Sequence, residues 1–415
     1  VKIILVNKFL YRKGGDAIVT LDTAKLLQEK GHDVVLWGMT HPLNGELPLK
    51  DYLMSSVDYD NPGGIRQKLK IATDVLYSFE AKAKFLNVLD QEKPDIVHFN
   101  NFAHQLSPSI VHACASRRLP MIMTMHDFKL VCASYSLLAN GQICELCKGG
   151  KHYHCFNKRC IKGSAVMSAL GAVEMYLHHS VMKIYDLIQV FISPSEFLKY
   201  KVREFGFRGE IVHLPNFVWL DSYFQPEIET SAKQCIVYFG RLSEIKGLFT
   251  LLRAVRFMDV QLNLVGEGPI QSELEKEVES WGMQKECVIA FRGYQTGDDL
   301  KKEINNATVV VLPSECYENN PRSVIEAFAL AKPVIASRIG GIPELVRDNE
   351  TGLCFKPGSA EDLREKLELV LADSTYGYRL GCRGREIVER EFSSDRYYEG
   401  LMKVYERAFE KASLQ

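Results

Sequence analysis

No segment of this 415-residue chain is apolar for long enough to read as a membrane span. A span needs about 20 mostly apolar residues. The best candidate, Ser164 to Pro194, is broken by Glu174, His178, His179, Lys183 and Asp186. Val1 to Val6 is too short an apolar run for a signal peptide and reads as a first strand. Net charge is nearly absent too: 51 basic against 52 acidic residues leave −1, which argues against a whole-protein nucleic-acid footprint. The 11 cysteines are odd in number and far too sparse for a disulfide-stapled secreted domain. The expectation is a cytoplasmic protein with reduced thiols, with a peripheral position at the inner face of the membrane left open.

At 46% hydrophobic and 25% charged residues the chain can bury a sizeable core. Its length suggests two or three domains at about 150 residues each. Strand-like runs alternate with helical spacing throughout. Lys2–Asn7, Asp33–Gly38, Asp95–Asn100, Met121–Met125 and Gln189–Ser193 form a first series. The pattern restarts at Cys235–Phe239 and continues through Gln261–Val265, Cys287–Phe291, Val309–Leu312, Val334–Ala336 and Leu353–Phe355. The polar segment Asp221–Lys233 lies between. Such alternation predicts two doubly wound α/β domains with parallel sheets, over 1–213 and 214–392. They differ in charge: 26 basic and 20 acidic residues in 1–213, 25 and 32 in 214–415. This is either scatter between solvated surfaces or a first domain that faces an anionic membrane or acceptor.

Ligands in such sheets bind beyond the strand C-termini, so the loops there carry the chemistry. No GxGxxG stands after the first strand. Arg12-Lys13-Gly14-Gly15-Asp16 does, and two glycines before a helix let backbone amides approach an anion. After Phe239 comes Gly240-Arg241-Leu242-Ser243-Glu244-Ile245-Lys246-Gly247, in which Arg241 and Lys246 can meet one diphosphate. After Leu312 comes Pro313 to Ala327, with Glu318 in the loop and Glu326 about one turn into the helix. Pro321 suits that helix's first turn and Asn320 its N-cap.

These residues resemble retaining GT-B glycosyltransferases of family 4. Glu318 and Glu326 match the family's Glu-x7-Glu pair, and Gly240, Arg241, Lys246 and Gly247 its Gly-Arg-x4-Lys-Gly motif. Gly266–Pro269, Gly340–Glu344, Gly14-Gly15 and Thr124-x-His126-Asp127 match further family segments. The resemblance covers essentially the whole chain and is strongest over 234–357. It implies two Rossmann-like domains facing a central cleft, with a C-terminal helix (393–415) packing back on the first. It implies that a nucleotide-sugar donor, commonly a UDP-sugar, transfers its sugar to a glycan or lipid-linked acceptor in polysaccharide or glycolipid assembly, without nucleic acid and with no cofactor needed for catalysis.

The resemblance assigns roles as well. Arg241, Lys246, Gly14 and Gly15 would hold the diphosphate, and Glu326 the ribose. Glu318 would sit beside the donor sugar, with Asn319, Asn320 and Ser323 near its hydroxyls and the β-phosphate. The base would rest around Arg292 and Tyr294, and His126 would lie near the transferring sugar. Where many members carry Glu, this chain has Asp16, which either bears on acceptor choice or caps a helix. A GT-B nucleotide-sugar epimerase and a non-catalytic glycan-binding protein of the same fold are the rival readings.

Cys132, Cys144, Cys147, Cys155 and Cys160 cluster within 29 residues. Cys144, Cys147, Cys155 and Cys160 have spacing suited to a structural zinc; free or redox-active thiols and disulfides are the other readings. Downstream, Met167, Leu170, Val173 and Leu177 share one side of a helical pattern. That side is read as packed on its own domain, against a membrane-surface helix as the alternative.

Overall fold

The computed structural model describes residues 1–46, 49–57, 63–223, 234–282 and 287–414. Most of the polar connection Asp221–Lys233, from 224 on, lies outside them. The chain forms two compact units, one of 1–215 with 397–415 and one of 216–396.

The first unit is built on β1 (Lys2–Val6), β2 (Asp33–Trp37), β3 (Ile96–Phe99), β4 (Met121–Thr124), a hairpin of β5 (Leu138–Ala139) and β6 (Gln142–Ile143), β7 (Val190–Ser193) and β8 (Ile211–His213). Its parallel sheet has the order β2-β1-β3-β4-β7-β8. Strands β3, β4 and β7 are buried on both faces, as continuous apolar runs covered by helices require. Strand β8 is new to the sequence reading: three residues at a sheet edge leave no readable periodicity.

The second unit has β9 (Cys235–Phe239), β10 (Gln261–Val265), β11 (Val288–Gly293), β12 (Val309–Leu312), β13 (Val334–Ser337) and β14 (Gly352–Phe355), in the order β11-β10-β9-β12-β13-β14. Alternation along β9 splits the core in two. Val237 and Phe239 join Val324 and Phe328 on one face, while Ile236 and Tyr238 join Leu251 and Leu367 on the other.

In both sheets the first strand sends its connection to one side and the chain then crosses to the other. The switch points fall between β1 and β3 and between β9 and β12. Strand order leaves a crevice there, beyond the carboxyl ends.

The last helix, Ser394–Ser413, packs in the first unit through Tyr397, Leu401, Val404, Tyr405 and Ala408. The Tyr405 hydroxyl lies 3.1 Å from His98 Nδ1, and the other imidazole nitrogen lies 2.7 Å from Thr124 Oγ1. Burial pushes the His98 pKa down to about 3, so this histidine is a neutral core residue.

The downstream helix, Ala165–Tyr176, is rotated from expectation. It buries Ser168, Gly171, Ala172, Glu174 and Met175 and exposes Val166 and Val173. The Lys129–Glu174 ion pair explains the rotation: its 2.7 Å contact is buried on both sides and fixes which face turns inward.

Candidate active site

The second unit's half of the site is assembled at its switch point. The loop after β9 runs from Gly240 to Gly247, with Glu244–Lys246 as a single 3-10 turn. The loop after β12 runs from Pro313 to the helix Arg322–Ala329. Between them the Lys246 ammonium forms an ion pair with the Glu318 carboxylate, and Ser314 Oγ donates to Glu318 Oε1 at 2.6 Å. Burial opposes both charges, yet each outweighs it in the other: the lysine pKa is raised and the glutamate pKa lowered. The pair is therefore fully ionised near neutral pH.

Close backbone packing fixes these loops. Gly266, at φ +142°, lies so close to Gly240 O that a Cβ there would be 1.9 Å from it, and one at Gly268 would be 2.0 Å from Leu242 O. The Gly-Glu-Gly-Pro run thus braces the phosphate-facing loop. Gly340, at φ +62°, does the same for the other loop, where a Cβ would stand 2.4 Å from Glu318 O. Gly341 N donates to that same oxygen at 2.8 Å. Only residues without a Cβ allow these approaches.

The remaining donor-side residues are placed as follows. Arg241 is exposed, and its guanidinium has no hydrogen bond or ion pair among the described residues, while its carbonyl accepts from Tyr238 Oη at 2.8 Å. Glu326 lies one turn into its helix, beside Arg322 Nη2 at 3.3 Å. Asn319 and Ser323 flank the helix start, at which amides lack intrahelical partners. Asn320 is not its N-cap. The helix begins after Pro321, and Asn320 Oδ1 and O instead accept from Asn216 N and Nδ2 at 3.1 and 3.2 Å. Arg292 and Tyr294 lie at the end of edge strand β11, with Arg292 Nε 3.6 Å from Glu303. The structure thus brings Lys246 and Glu318 together directly; Arg241, Glu326, Arg292 and Tyr294 occupy separate strand ends and the helix.

In the first unit, Gly14 is the extended residue before the helix Gly15–Glu29, which has no side-chain cap. Asp16 therefore does not cap it; its Oδ2 accepts from Asn101 Nδ2 at 3.0 Å and ties the helix to the end of β3. His126 Nε2 lies 2.9 Å from Asn100 Oδ1, within hydrogen-bond distance. Burial lowers the His126 pKa, with Asp16 partly opposing.

The cysteines read as a zinc set, Cys144, Cys147, Cys155 and Cys160, lie near one another. Among the described residues no group of three or more His, Cys, Asp or Glu side chains is arranged to hold one. Cys155 and Cys160 are hydrogen-bonded to each other, Cys147 interacts with Cys132, Cys160 and Cys144, and Cys132 Sγ lies 3.3 Å from Ser134 Oγ. Burial, together with the neighbouring Cys132, Cys160 and Cys144, pushes the Cys147 thiol up to about 12. All 11 cysteines are free.

Sequence reasoning missed Ser314, Lys8, Asn100 and the Lys129–Glu174 pair. Position was the available signal for the first three, since each follows a strand end within two residues. The fourth pairs residues 45 positions apart and has no local signature.

Comparison with known proteins identifies the family and the fold. A family model described as "Glycosyltransferase Family 4" matches residues 13–222, and one described as "Glycosyl transferases group 1" matches 221–386. An uncharacterized glycosyltransferase of Methanocaldococcus jannaschii, MJ1607, is 23% identical over 96% of this chain and 95% of its own. N-acetyl-alpha-D-glucosaminyl L-malate synthase of Bacillus anthracis is 20% identical over 94% and 93%. Among solved structures, sucrose-phosphate synthase of Thermosynechococcus elongatus has a TM-score of 0.70 at 18% identity, covering 99% of both chains. Anabaena HepE (Alr3699) in complex with UDP has 0.69 at 16%, covering 98% of this chain and all of that one. The fold is GT-B, and the chain belongs to glycosyltransferase family 4.

Proposed function

We propose that this glycosyltransferase moves a hexosyl unit from a UDP-sugar, with retention of anomeric configuration, to a glycan or lipid-linked acceptor in polysaccharide or glycolipid assembly. The observation that carries the reading is the ionised Lys246–Glu318 pair at the second unit's switch point. Cleaving the anomeric bond places negative charge on the departing diphosphate and positive charge on the sugar carbon. Lys246, the unpaired Arg241 and the amides at the start of the helix Arg322–Ala329 stabilise the first. The Glu318 carboxylate, held ionised by Lys246, stabilises the second and orients sugar hydroxyls. Glu326 accepts hydrogen bonds from the ribose. The departing phosphate oxygen takes the acceptor proton on the same face, which retains configuration without a covalent sugar–enzyme intermediate. His126 supplies a neutral imidazole near the transferring sugar, and Gly14 and Gly15 offer amides to the phosphates.

Two relatives are named as biosynthetic glycosyltransferases, the lipopolysaccharide core biosynthesis enzyme LpsE of Rhizobium meliloti and the amylovoran biosynthesis enzyme AmsK of Erwinia amylovora. A thermal-shift screen against UDP-, GDP- and ADP-sugars tests the donor. NMR of the product's anomeric proton tests retention. Incubating the donor without acceptor separates transfer from epimerisation.

The first unit supports an attachment to an anionic membrane. In the helix Ile65–Leu76, Ile65 and Leu69 are 77% and 63% exposed and alternate with exposed Arg66, Lys68 and Lys70. This helix packs beside Ala165–Tyr176, whose Val166 is 80% exposed. An apolar stripe flanked by lysines suits the headgroup boundary. Co-sedimentation with phosphatidylglycerol but not phosphatidylcholine vesicles, lost in Ile65→Glu/Leu69→Glu, is the expected result.

A further inference from the structure

A six-residue helix in the cysteine-rich part of the first unit, Tyr153–Lys158, ends in a tight backbone motif. Arg159 follows it in a left-handed conformation, at φ 49° and ψ 46°. Arg159 N donates to Phe156 O at 3.1 Å, and Cys160 N donates to Cys155 O at 3.2 Å. These two bonds make a Schellman motif, which folds the residue after the left-handed one back onto the residue five before it. At such helix ends the contact is commonly between apolar side chains. Here it is between two cysteines.

The Cys155 and Cys160 thiols are hydrogen-bonded to each other, and both pack in one small cluster with Ala133, Ile161, Ala172 and Met175. Other buried thiols are engaged differently. Cys235 and Cys354 donate to the carbonyls of Ile236 and Val346, and Cys132 lies against Ser134 Oγ. Cys155 is fully buried, but Cys160 is partly exposed, and the exposed cations Lys158, Arg159 and Lys162 stand close to it in the chain. Thiols react in such partly exposed, electropositive settings, whereas thiols enclosed in apolar surroundings are inert.

A disulfide needs its two Cα atoms close together and its Cβ bonds directed at each other. The bond from Cys160 N to Cys155 O holds the two backbones close, and the thiol contact shows that the side chains converge. Cys147 also faces Cys160, but no backbone hydrogen bond ties those two among the described residues. The pair that can close without moving the backbone is therefore Cys155 with Cys160.

We propose that Cys155 and Cys160 form a reversible oxidation site, a dithiol that a peroxide converts to a disulfide. With hydrogen peroxide, the partly exposed Cys160 sulfur takes one oxygen as the O–O bond breaks and becomes a sulfenic acid. The other oxygen leaves as water with the Cys160 proton. The Cys155 sulfur then displaces the sulfenic hydroxyl, which leaves as a second water with the Cys155 proton, and the S–S bond forms. The two thiols together lose two electrons, and one peroxide is reduced to two waters. A dithiol reductant reverses the step by exchange. The site belongs to the first unit and does not depend on the glycosyltransferase reading.

The test uses the full chain, reduced, treated with hydrogen peroxide, blocked with N-ethylmaleimide in urea and digested with trypsin in the absence of reductant. Trypsin cuts after Lys151, Lys158, Arg159 and Lys162, so the disulfide would join peptide 152–158 to peptide 160–162. Mass spectrometry should find this linked pair, lighter by two hydrogens than its reduced parts and released by dithiothreitol. Cys382, a partly exposed thiol of the second unit, is the internal control and should stay unlinked. Cys155→Ser should abolish the linked pair and leave Cys160 as a sulfenic acid that dimedone labels. Cys160→Ser, a change at a partly exposed position that spares the buried thiol, should abolish the pair and leave Cys155 open to N-ethylmaleimide in urea. A disulfide that maps instead to Cys147–Cys160 or Cys144–Cys147 would overturn the assignment. So would Cys155 and Cys160 that are both still blocked by N-ethylmaleimide after a peroxide dose that oxidises Cys382.

Discussion

The Lys246 ammonium is bonded to the Glu318 carboxylate across 72 residues of sequence, and Ser314 donates to the same carboxylate oxygen. The donor-side chemistry is thus held as a preformed ion pair. Because both side chains are partly shielded, at 23% and 15% exposure, removing one partner leaves a poorly solvated charge. Lys246→Ala should lower the UDP-induced thermal shift and cut kcat/KM by 100-fold or more, on the order of the loss seen when a transition-state donor is removed. Glu318→Gln should retain UDP binding but lose kcat.

The same pair sets a pH window for stability. The Glu318 pKa is depressed by Lys246, so its contribution is present above the usual carboxylate range and lost as pH falls through the folded value. The Lys246 pKa is raised, so its contribution is present below the ordinary lysine value and lost as pH rises through the folded one. Wild-type Tm should stay level between these limits and fall outside them. A Lys246→Met/Glu318→Leu double variant should flatten both edges in a Tm-versus-pH series.

Gly340→Ala should be a strongly damaging methyl addition on the donor side. It forces a side chain into a left-handed backbone and against Glu318 O. A cost of about 2 kcal/mol or more is expected. Gly15→Ala, where an added Cβ meets nothing within 4 Å, should change Tm little. Urea denaturation of the two variants measures the contrast.

The buried Lys129–Glu174 pair predicts a non-additive result. Glu174→Gln strands Lys129 at 5% side-chain exposure and should cost about 3–5 kcal/mol. Replacing both, as Lys129→Met/Glu174→Leu, should recover much of that loss. A double-mutant cycle in urea checks it.

The cysteine cluster should behave as thiols rather than as a zinc site. Only Cys144, Cys160 and Cys382 are more than marginally exposed, so a thiol reagent should titrate about these three quickly and all 11 after denaturation. Chelator treatment should leave Tm unchanged. One zinc per chain in elemental analysis would refute this.

Much of the fold was legible because its signals are local. Continuous apolar runs such as Val309–Leu312 can only be strands buried on both faces, and alternation with helices leaves few arrangements besides doubly wound sheets. The donor loops were legible for the same reason: Gly240–Gly247 and Pro313–Ala327 carry their chemistry at fixed spacing after a strand. Side-chain pairing was not local. Asn320 looked like a helix cap, yet its amide serves Asn216, 104 residues away. The helix Ala165–Tyr176 looked as if its Met167–Leu177 stripe faced inward. A single buried carboxylate, Glu174, turned it by requiring Lys129, because an unpaired buried charge costs more than two exposed valines. The cysteines had metal-like spacing in sequence, and tertiary packing brought them near one another, though not into a metal-ligand arrangement among the described residues. Sequence alone determined most of the buried strands, which loops carry charge and which family they resemble. The tertiary structure decided which charges meet, and which of the clustered thiols stand together.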